Sequence, residues 1–178
     1  MPNSPANTIH VVQGQFEVSD RNGVELTTLL GSCVAACFHD PVRKIGGMNH
    51  FLLPGSDPRS GQNAKYGAHS MEELINALLR AGALRQRLQV QLFGGANVVE
   101  GLGTIGAQNA QFAQHFVRTE GFRLVASQLG GKNGRRVRFS PTTGTATASA
   151  FATDQPEARA PAPPVPARPR HTGQVELF

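Results

Sequence analysis

The stretch Thr27-Thr28-Leu29-Leu30-Gly31-Ser32-Cys33-Val34-Ala35-Ala36-Cys37-Phe38-His39-Asp40-Pro41, followed by Ile45-Gly46-Gly47-Met48-Asn49-His50-Phe51-Leu52-Leu53-Pro54, decides the fold. It reads as two strands around one turn. Asp40-Pro41-Val42-Arg43 suits the turn because Asp accepts hydrogen bonds from the backbone ahead of it and Pro fixes its own φ. Closed symmetrically, such a hairpin sets His39 against Lys44 and Cys33 directly opposite His50. Opposed residues share one sheet face, with Cβ atoms about 4.5–5.5 Å apart. A thiol at that separation can pass its proton to an imidazole. A bulge at Gly46-Gly47 would slip the register by one residue and turn one of the two side chains to the other face.

Working outward, Asp20-Arg21-Asn22-Gly23 forms a turn, and strand character runs from Val24 to Leu29. His10-Val11-Val12 and Gln15-Phe16-Glu17-Val18 are short strands separated by Gly14, and residues 1–8 are expected to be disordered. Gly55 to Gly61 is rich in turn residues and is expected to be a loop bordering His50. Met71, Leu74, Ile75, Leu78 and Leu79 recur at helical spacing, with Gly82 at the C-terminal cap. Leu88, Val90 and Leu92 alternate with Gln89 and Gln91, giving a half-buried strand that ends at Gly94-Gly95. A second helix is expected over 107–119, its apolar face built from Phe112, Ala113, Phe116 and Val117. Phe122, Leu124 and Ala126 mark another strand, and Lys132-Asn133-Gly134 turns into a last one from Arg136 to Phe139. From Thr145 the composition changes to Ala, Thr and Pro, so 145–178 is expected to be a flexible tail. The fold class is α/β (α+β): mixed, largely antiparallel sheet layers with helices packed on the outer face.

With 178 residues the chain suits one domain plus a tail. Formal charge is +5, but Lys and Arg are scattered, and the single Tyr66 offers no stacking platform, so no nucleic-acid partner is expected. Two cysteines are too few for a disulfide framework and are expected to be reduced thiols. The N-terminus lacks a basic segment followed by an apolar run, and no stretch nears the roughly 20 apolar residues of a membrane span. The expectation is a cytoplasmic protein without direct membrane insertion. Gly101-Leu102-Gly103-Thr104-Ile105-Gly106 mimics a dinucleotide fingerprint, but its strand ends too early and no acidic residue follows about 20 positions on. No cofactor is expected.

A strand cysteine is more often a small buried apolar residue than a nucleophile, and a lone histidine is usually a satisfied side chain. The functional reading makes Cys33 the nucleophile and His50 the group that stabilises its thiolate. Gly31 and Ser32 would lend backbone N–H groups to an oxyanion, or serve only a turn. Cys37 reads as packing. Cys33, Cys37, His39 and His50 also admit a zinc reading, although their spacing lacks the short Cys-x-x-Cys knuckle of structural sites. No metal is assigned.

The hairpin motif resembles the CheD family, the chemoreceptor glutamine deamidases of bacterial chemotaxis. The resemblance rests on Leu30-Gly31-Ser32-Cys33-Val34, Asp40-Pro41 and the run from Gly46 to Pro54. It continues in order through Tyr66-Gly67, Met71, Leu74-Ile75-Asn76, Phe93-Gly94-Gly95-Ala96-Asn97, Ile105-Gly106, Asn109, Phe112, Leu129-Gly130-Gly131 and Gly134-Arg135-Arg136-Val137. It spans roughly Ile9 to Gly144 and implies a deamidase domain over 9–144. It further implies a cysteine hydrolase with a catalytic Cys, His and Thr falling on Cys33, His50 and Thr27. In that triad Thr27 would accept a hydrogen bond from the second ring nitrogen of His50. The implied reaction converts receptor glutamines to glutamate with release of ammonia, with hydrolysis of glutamyl methyl esters as a second activity. The implied partners are the cytoplasmic region of chemotaxis receptors and, in some relatives, the phosphatase CheC. The competing class is a non-catalytic adaptor that keeps the fold and binds receptors or CheC.

Overall fold

Residues 7–54, 61–98 and 104–151 are described by a computed structural model. The Gly55 to Gly61 loop up to residue 60, residues 101–103 of the glycine-rich run, and the tail beyond 151 lie outside them. The elements run β1 (Asn7–His10), β2 (Phe16–Ser19), β3 (Val24–Leu30), β4 (Val34–Asp40), β5 (Ile45–Asn49), α1 (Gly61–Arg80), β6 (Gln89–Gly94), α2 (Ile105–Thr119), β7 (Arg123–Leu129), β8 (Gly134–Phe139) and β9 (Ala146–Phe151).

These strands form two sheets, ordered β1-β3-β8-β9 and β2-β5-β4-β6-β7. β1 runs parallel to β3 and β7 parallel to β6, while the other described pairings are antiparallel. α1 lies on β5 and β2, and α2 on β4 and β6, so both helices cover the same outer face of the five-stranded sheet. The molecule is therefore layered sheet, sheet, helices.

β4 is buried along its whole length because it faces a core on each side. Val34, Ala36 and Phe38 point toward the helices and meet Met71, Leu74, Leu78 and Phe116. Ala35 and Cys37 point the other way and pack with Leu26, Leu30, Met48, Phe93 and Phe139 between the sheets. A strand with two buried faces reads as a continuous apolar run, as Val34 to Phe38 does.

The hairpin register differs from symmetric closure. Asp40 pairs Ile45, His39 pairs Gly46 and Cys37 pairs Met48. Lys44 adopts φ 55°, and its N–H donates to Asp40 O at 2.9 Å, so it belongs to the turn and cannot face His39. A bridge between Val34 and Phe51 continues the same register. Cys33 is thus level with Leu52 and diagonal to His50. The displacement is two residues, an even number, so the two side chains keep a common face. Gly46-Gly47 makes no bulge. A Cβ on Gly46 would meet Pro141 O at 2.6 Å and one on Gly47 would meet Glu17 O at 2.7 Å, so these glycines permit close backbone approach.

Asp40 organises the turn. Its Oδ1 accepts from the N–H groups of Val42 (2.9 Å) and Arg43 (3.0 Å), and Oδ2 from the N–H of Leu84 (3.0 Å) and Arg87 Nη2 (2.8 Å). Burial pushes this carboxyl up, but the hydrogen bonds from Arg87 and these backbone groups outweigh it and hold the pKa at about 2.

Two boundaries drawn from composition move. Asn7 and Thr8 already pair in β1 with Val24 and Glu25, so the ordered domain begins before residue 9. β9 continues it past residue 144, with Ala146 to Phe151 pairing along the whole of β8. Ala-Thr-Ala-Ser-Ala carries almost no apolar strand signal, and its order comes from backbone bonds to β8 and from Phe151 against Gly134.

Candidate active site

Gly31-Ser32-Cys33 is the crossing from one sheet to the other, since β3 ends at Leu30 and β4 begins at Val34. The carbonyl oxygens of all three residues are held. Ala96 N–H donates to Gly31 O at 3.0 Å, Asn109 Nδ2 to Ser32 O at 2.8 Å, and Gly95 N–H to Cys33 O at 2.8 Å. Pinned in this way, Cys33 stays half-buried at the rim of the core between the sheets. Its thiol donates to Gln13 Oε1 at 3.6 Å.

His50 follows β5 and is only 7% exposed. Its N–H donates to Gln15 O at 3.1 Å, and its carbonyl accepts from Gly14 N–H at 2.8 Å. The Nδ1 atom lies 2.8 Å from Thr28 Oγ1 and 3.2 Å from Val11 O. A carbonyl only accepts, and the single proton of the Thr28 hydroxyl is itself donated to Val11 O at 2.7 Å. Nδ1 must therefore carry the proton. In the neutral ring, the lone pair then sits on Nε2, the nitrogen that takes and returns a proton.

The bond to the ring expected of Thr27 is made by Thr28. Thr27 Oγ1 instead donates to Val137 O at 2.9 Å. The cause is strand alternation: Thr28 lies on the side of β3 that carries Leu26 and Leu30 into the core between the sheets, and Thr27 lies on the other side. Both hydroxyls are buried and satisfied, so residue type and burial do not distinguish them.

Asn109 and Gln13 are the contributors that reasoning from residue types missed. Asn109, fully buried on α2, donates to Ser32 O and accepts the N–H of Leu53 at 2.9 Å, clamping the Cys33 crossing to the segment after His50. The sequence offered two signals, an Asn among the apolar residues of a helix face and its place among the residues that carry the family resemblance, and neither assigns it a role at the site.

The remaining cysteine and histidine of the hairpin do other work. Cys37 is buried between the sheets, and burial pushes its thiol far up, away from ionisation. His39 Nε2 donates to Thr142 O at 3.1 Å, and Gly144 sits against the ring. Among the described residues no three His, Cys, Asp or Glu side chains converge as metal ligands would.

Comparison with known proteins bears on what this arrangement belongs to. The family model described as CheD chemotactic sensory transduction matches residues 52–150. A probable chemoreceptor glutamine deamidase CheD from Jannaschia sp. (strain CCS1) is 59% identical over 138 residues, 78% of this chain and 79% of that protein. Another so named, from Caulobacter sp. (strain K31), is 48% identical over 178 residues, 98% of this chain and 94% of that protein. A third, from Rhizobium leguminosarum bv. trifolii, is 52% identical over 150 residues, 82% of this chain and 81% of that protein. At such identity over more than three-quarters of each protein, this chain belongs to the CheD family.

Proposed function

We propose that this protein is a cysteine-dependent chemoreceptor glutamine deamidase with Cys33 as nucleophile and His50 as its acid and base. The observation that carries the reading is the pair of contacts made by His50 Nδ1. With Nδ1 bound to Val11 O and Thr28 Oγ1, the basic nitrogen of the neutral ring is Nε2. That ring shares the face between the sheets with Cys33.

The reaction runs in two halves. Nε2 accepts the Cys33 proton, and the thiolate attacks the side-chain carbonyl carbon of a glutamine, forming a C–S bond and an oxyanion. The oxyanion collapses, the C–N bond breaks, and the imidazolium gives its Nε2 proton to the departing ammonia. Water, deprotonated by Nε2, then attacks the γ-glutamyl thioester, and the C–S bond breaks to give glutamate and the thiol. A glutamyl methyl ester would follow the same path, with methanol leaving in place of ammonia. Backbone N–H groups of the Gly31-Ser32-Cys33 crossing are the oxyanion donors this reading assigns, since the crossing is rigidly held by its carbonyls. Thr28 holds the ring in register.

The substrate is the helical cytoplasmic region of chemotaxis receptors, CheC is a candidate partner, and the cytoplasm is where both would be met. No helix among the described residues is long and apolar enough to cross a membrane. The test is peptide mass spectrometry of a receptor cytoplasmic fragment incubated with wild-type, Cys33→Ala and His50→Ala protein. Glutamine-to-glutamate conversion by the wild type and its loss in both variants is the expected result. Conversion by Cys33→Ala at the wild-type rate would refute the mechanism, and receptor binding without any conversion would favour the adaptor.

A further inference from the structure

Gln13 lies at the corner of a four-residue turn, Val12 to Gln15, closed by the Gln15 N–H donating to Val12 O at 3.0 Å. Gly14, at the third position, has φ 86°, and a Cβ there would meet nothing, so glycine serves the left-handed backbone that this turn type needs. The turn is fastened to His50 at two points: Gly14 N–H donates to His50 O, and His50 N–H donates to Gln15 O. Upstream, Val11 N–H donates to Thr27 O, and Val11 O receives the Thr28 hydroxyl and the His50 ring. A backbone stapled this closely to the histidine carries an exposed side chain whose Oε1 is 3.6 Å from Cys33 Sγ.

We propose that Gln13 is a catalytic residue of the deamidation, its side-chain amide supplying a hydrogen bond to the oxyanion that forms when Cys33 attacks. The proposal rests on Cys33 being the nucleophile. A glutamine amide offers an acceptor at one end and two donors at the other, exchanged by rotation about the last side-chain bond. While sulfur is protonated, the acceptor end faces it and takes the S–H. Once the proton has passed to Nε2, an acceptor facing negative charge is repelled, and the amide turns its N–H groups toward sulfur. The developing oxyanion stands on the carbon bonded to that sulfur, so a donor already beside Sγ is within reach of it. Because Gln13 is exposed, it meets the substrate from the solvent side, while the crossing residues meet it from the protein side.

A donor used only in the transition state lowers kcat and leaves KM nearly unchanged when it is removed. With the full-length protein and a receptor cytoplasmic fragment, Gln13→Ala should reduce kcat by about 10²-fold, the lower end for the loss of one oxyanion donor, with KM within about threefold. Gln13→Glu, which keeps the shape and removes the donors, should be slower still. Iodoacetamide alkylation of Cys33, which needs the thiolate and forms no oxyanion, should change by less than about threefold in Gln13→Ala. Thermal melts of both variants should match the wild type, as the side chain is exposed. If Gln13→Ala turns over within about twofold of the wild type while Cys33→Ala is inactive, the inference is wrong and the nucleophile stands. If alkylation falls in step with kcat, Gln13 acts on the thiol instead of the oxyanion, and the inference is equally wrong. Turnover in Cys33→Ala overturns both readings.

Discussion

Thr28 Oγ1 stands 2.8 Å from His50 Nδ1, while the neighbouring Thr27 turns its hydroxyl to the carbonyl of Val137 on the next strand. One residue of strand alternation separates a side chain that orients the histidine from one that stitches β3 to β8.

Thr28→Ala should therefore be the more damaging threonine substitution for activity. It removes a buried bond to the ring worth about 1–3 kcal/mol in orientation, so kcat should fall by about ten- to a hundredfold. Thr28→Ser should recover most of the loss, since its hydroxyl can accept from Nδ1 and donate to Val11 O. Thr27→Ala should lower stability by about 1 kcal/mol and leave kcat within a few-fold of the wild type. Steady-state kinetics and melts on the three variants check this, and a Thr27→Ala enzyme slower than Thr28→Ala would reverse the assignment.

Adjacent threonines show how far a sequence can be read. The hairpin and both helices follow from periodicity and turn residues, because those signals are local. The register does not, because it depends on whether Lys44 takes a left-handed conformation, which its residue type does not dictate. Choosing between Thr27 and Thr28 needs to know which face of β3 meets the other sheet, and that is a tertiary fact. Asn109 reaches Ser32 across 77 residues, and Arg87 reaches Asp40 across 47. No pattern within a window of one element contains such pairs. β9 is not legible in the sequence because small alternating residues such as Ala148 and Ser149 look like linker until β8 supplies their partners.

The Asp40–Arg87 pair gives the fold an acid-sensitive joint. The Asp40 pKa in the folded protein, about 2, lies below its ordinary value of 3.8. The stabilisation is thus complete above about pH 4 and is lost as pH falls through 2, on the order of 2 kcal/mol in all. Asp40→Asn should destabilise the protein by about 3–5 kcal/mol at neutral pH, because it leaves the Arg87 guanidinium without its counter-charge. The gap in stability between wild type and variant should narrow between about pH 4 and pH 2. Denaturant unfolding at several pH values measures it, and a gap that stays constant over that interval would mean that Asp40 does not titrate there.

Asn109 is predicted to set the position of the nucleophile through the backbone. Its amide donates to Ser32 O, one peptide unit before Cys33, and accepts from Leu53 N–H, three residues after His50. Asn109→Ala leaves two buried backbone groups unpaired and frees the crossing, so both stability and kcat should fall, which by itself would not separate positioning from simple damage. Asn109→Asp does separate them. An aspartate oxygen can still accept the Leu53 N–H, but an ionised carboxylate opposes the Ser32 carbonyl, acceptor against acceptor. Protonated, the same side chain regains a donor and can remake the bond. Burial beside a carbonyl favours the protonated form, so that aspartate should titrate well above the usual carboxylate range. Relative to wild type at each pH, kcat of Asn109→Asp should therefore be lowest near pH 8 and recover severalfold by about pH 5.5, whereas the ratio for Asn109→Ala should stay flat. Taking the ratio cancels whatever pH dependence both proteins share. A ratio for Asn109→Asp that does not vary with pH would show that the Ser32 bond has no part in holding Cys33 for attack.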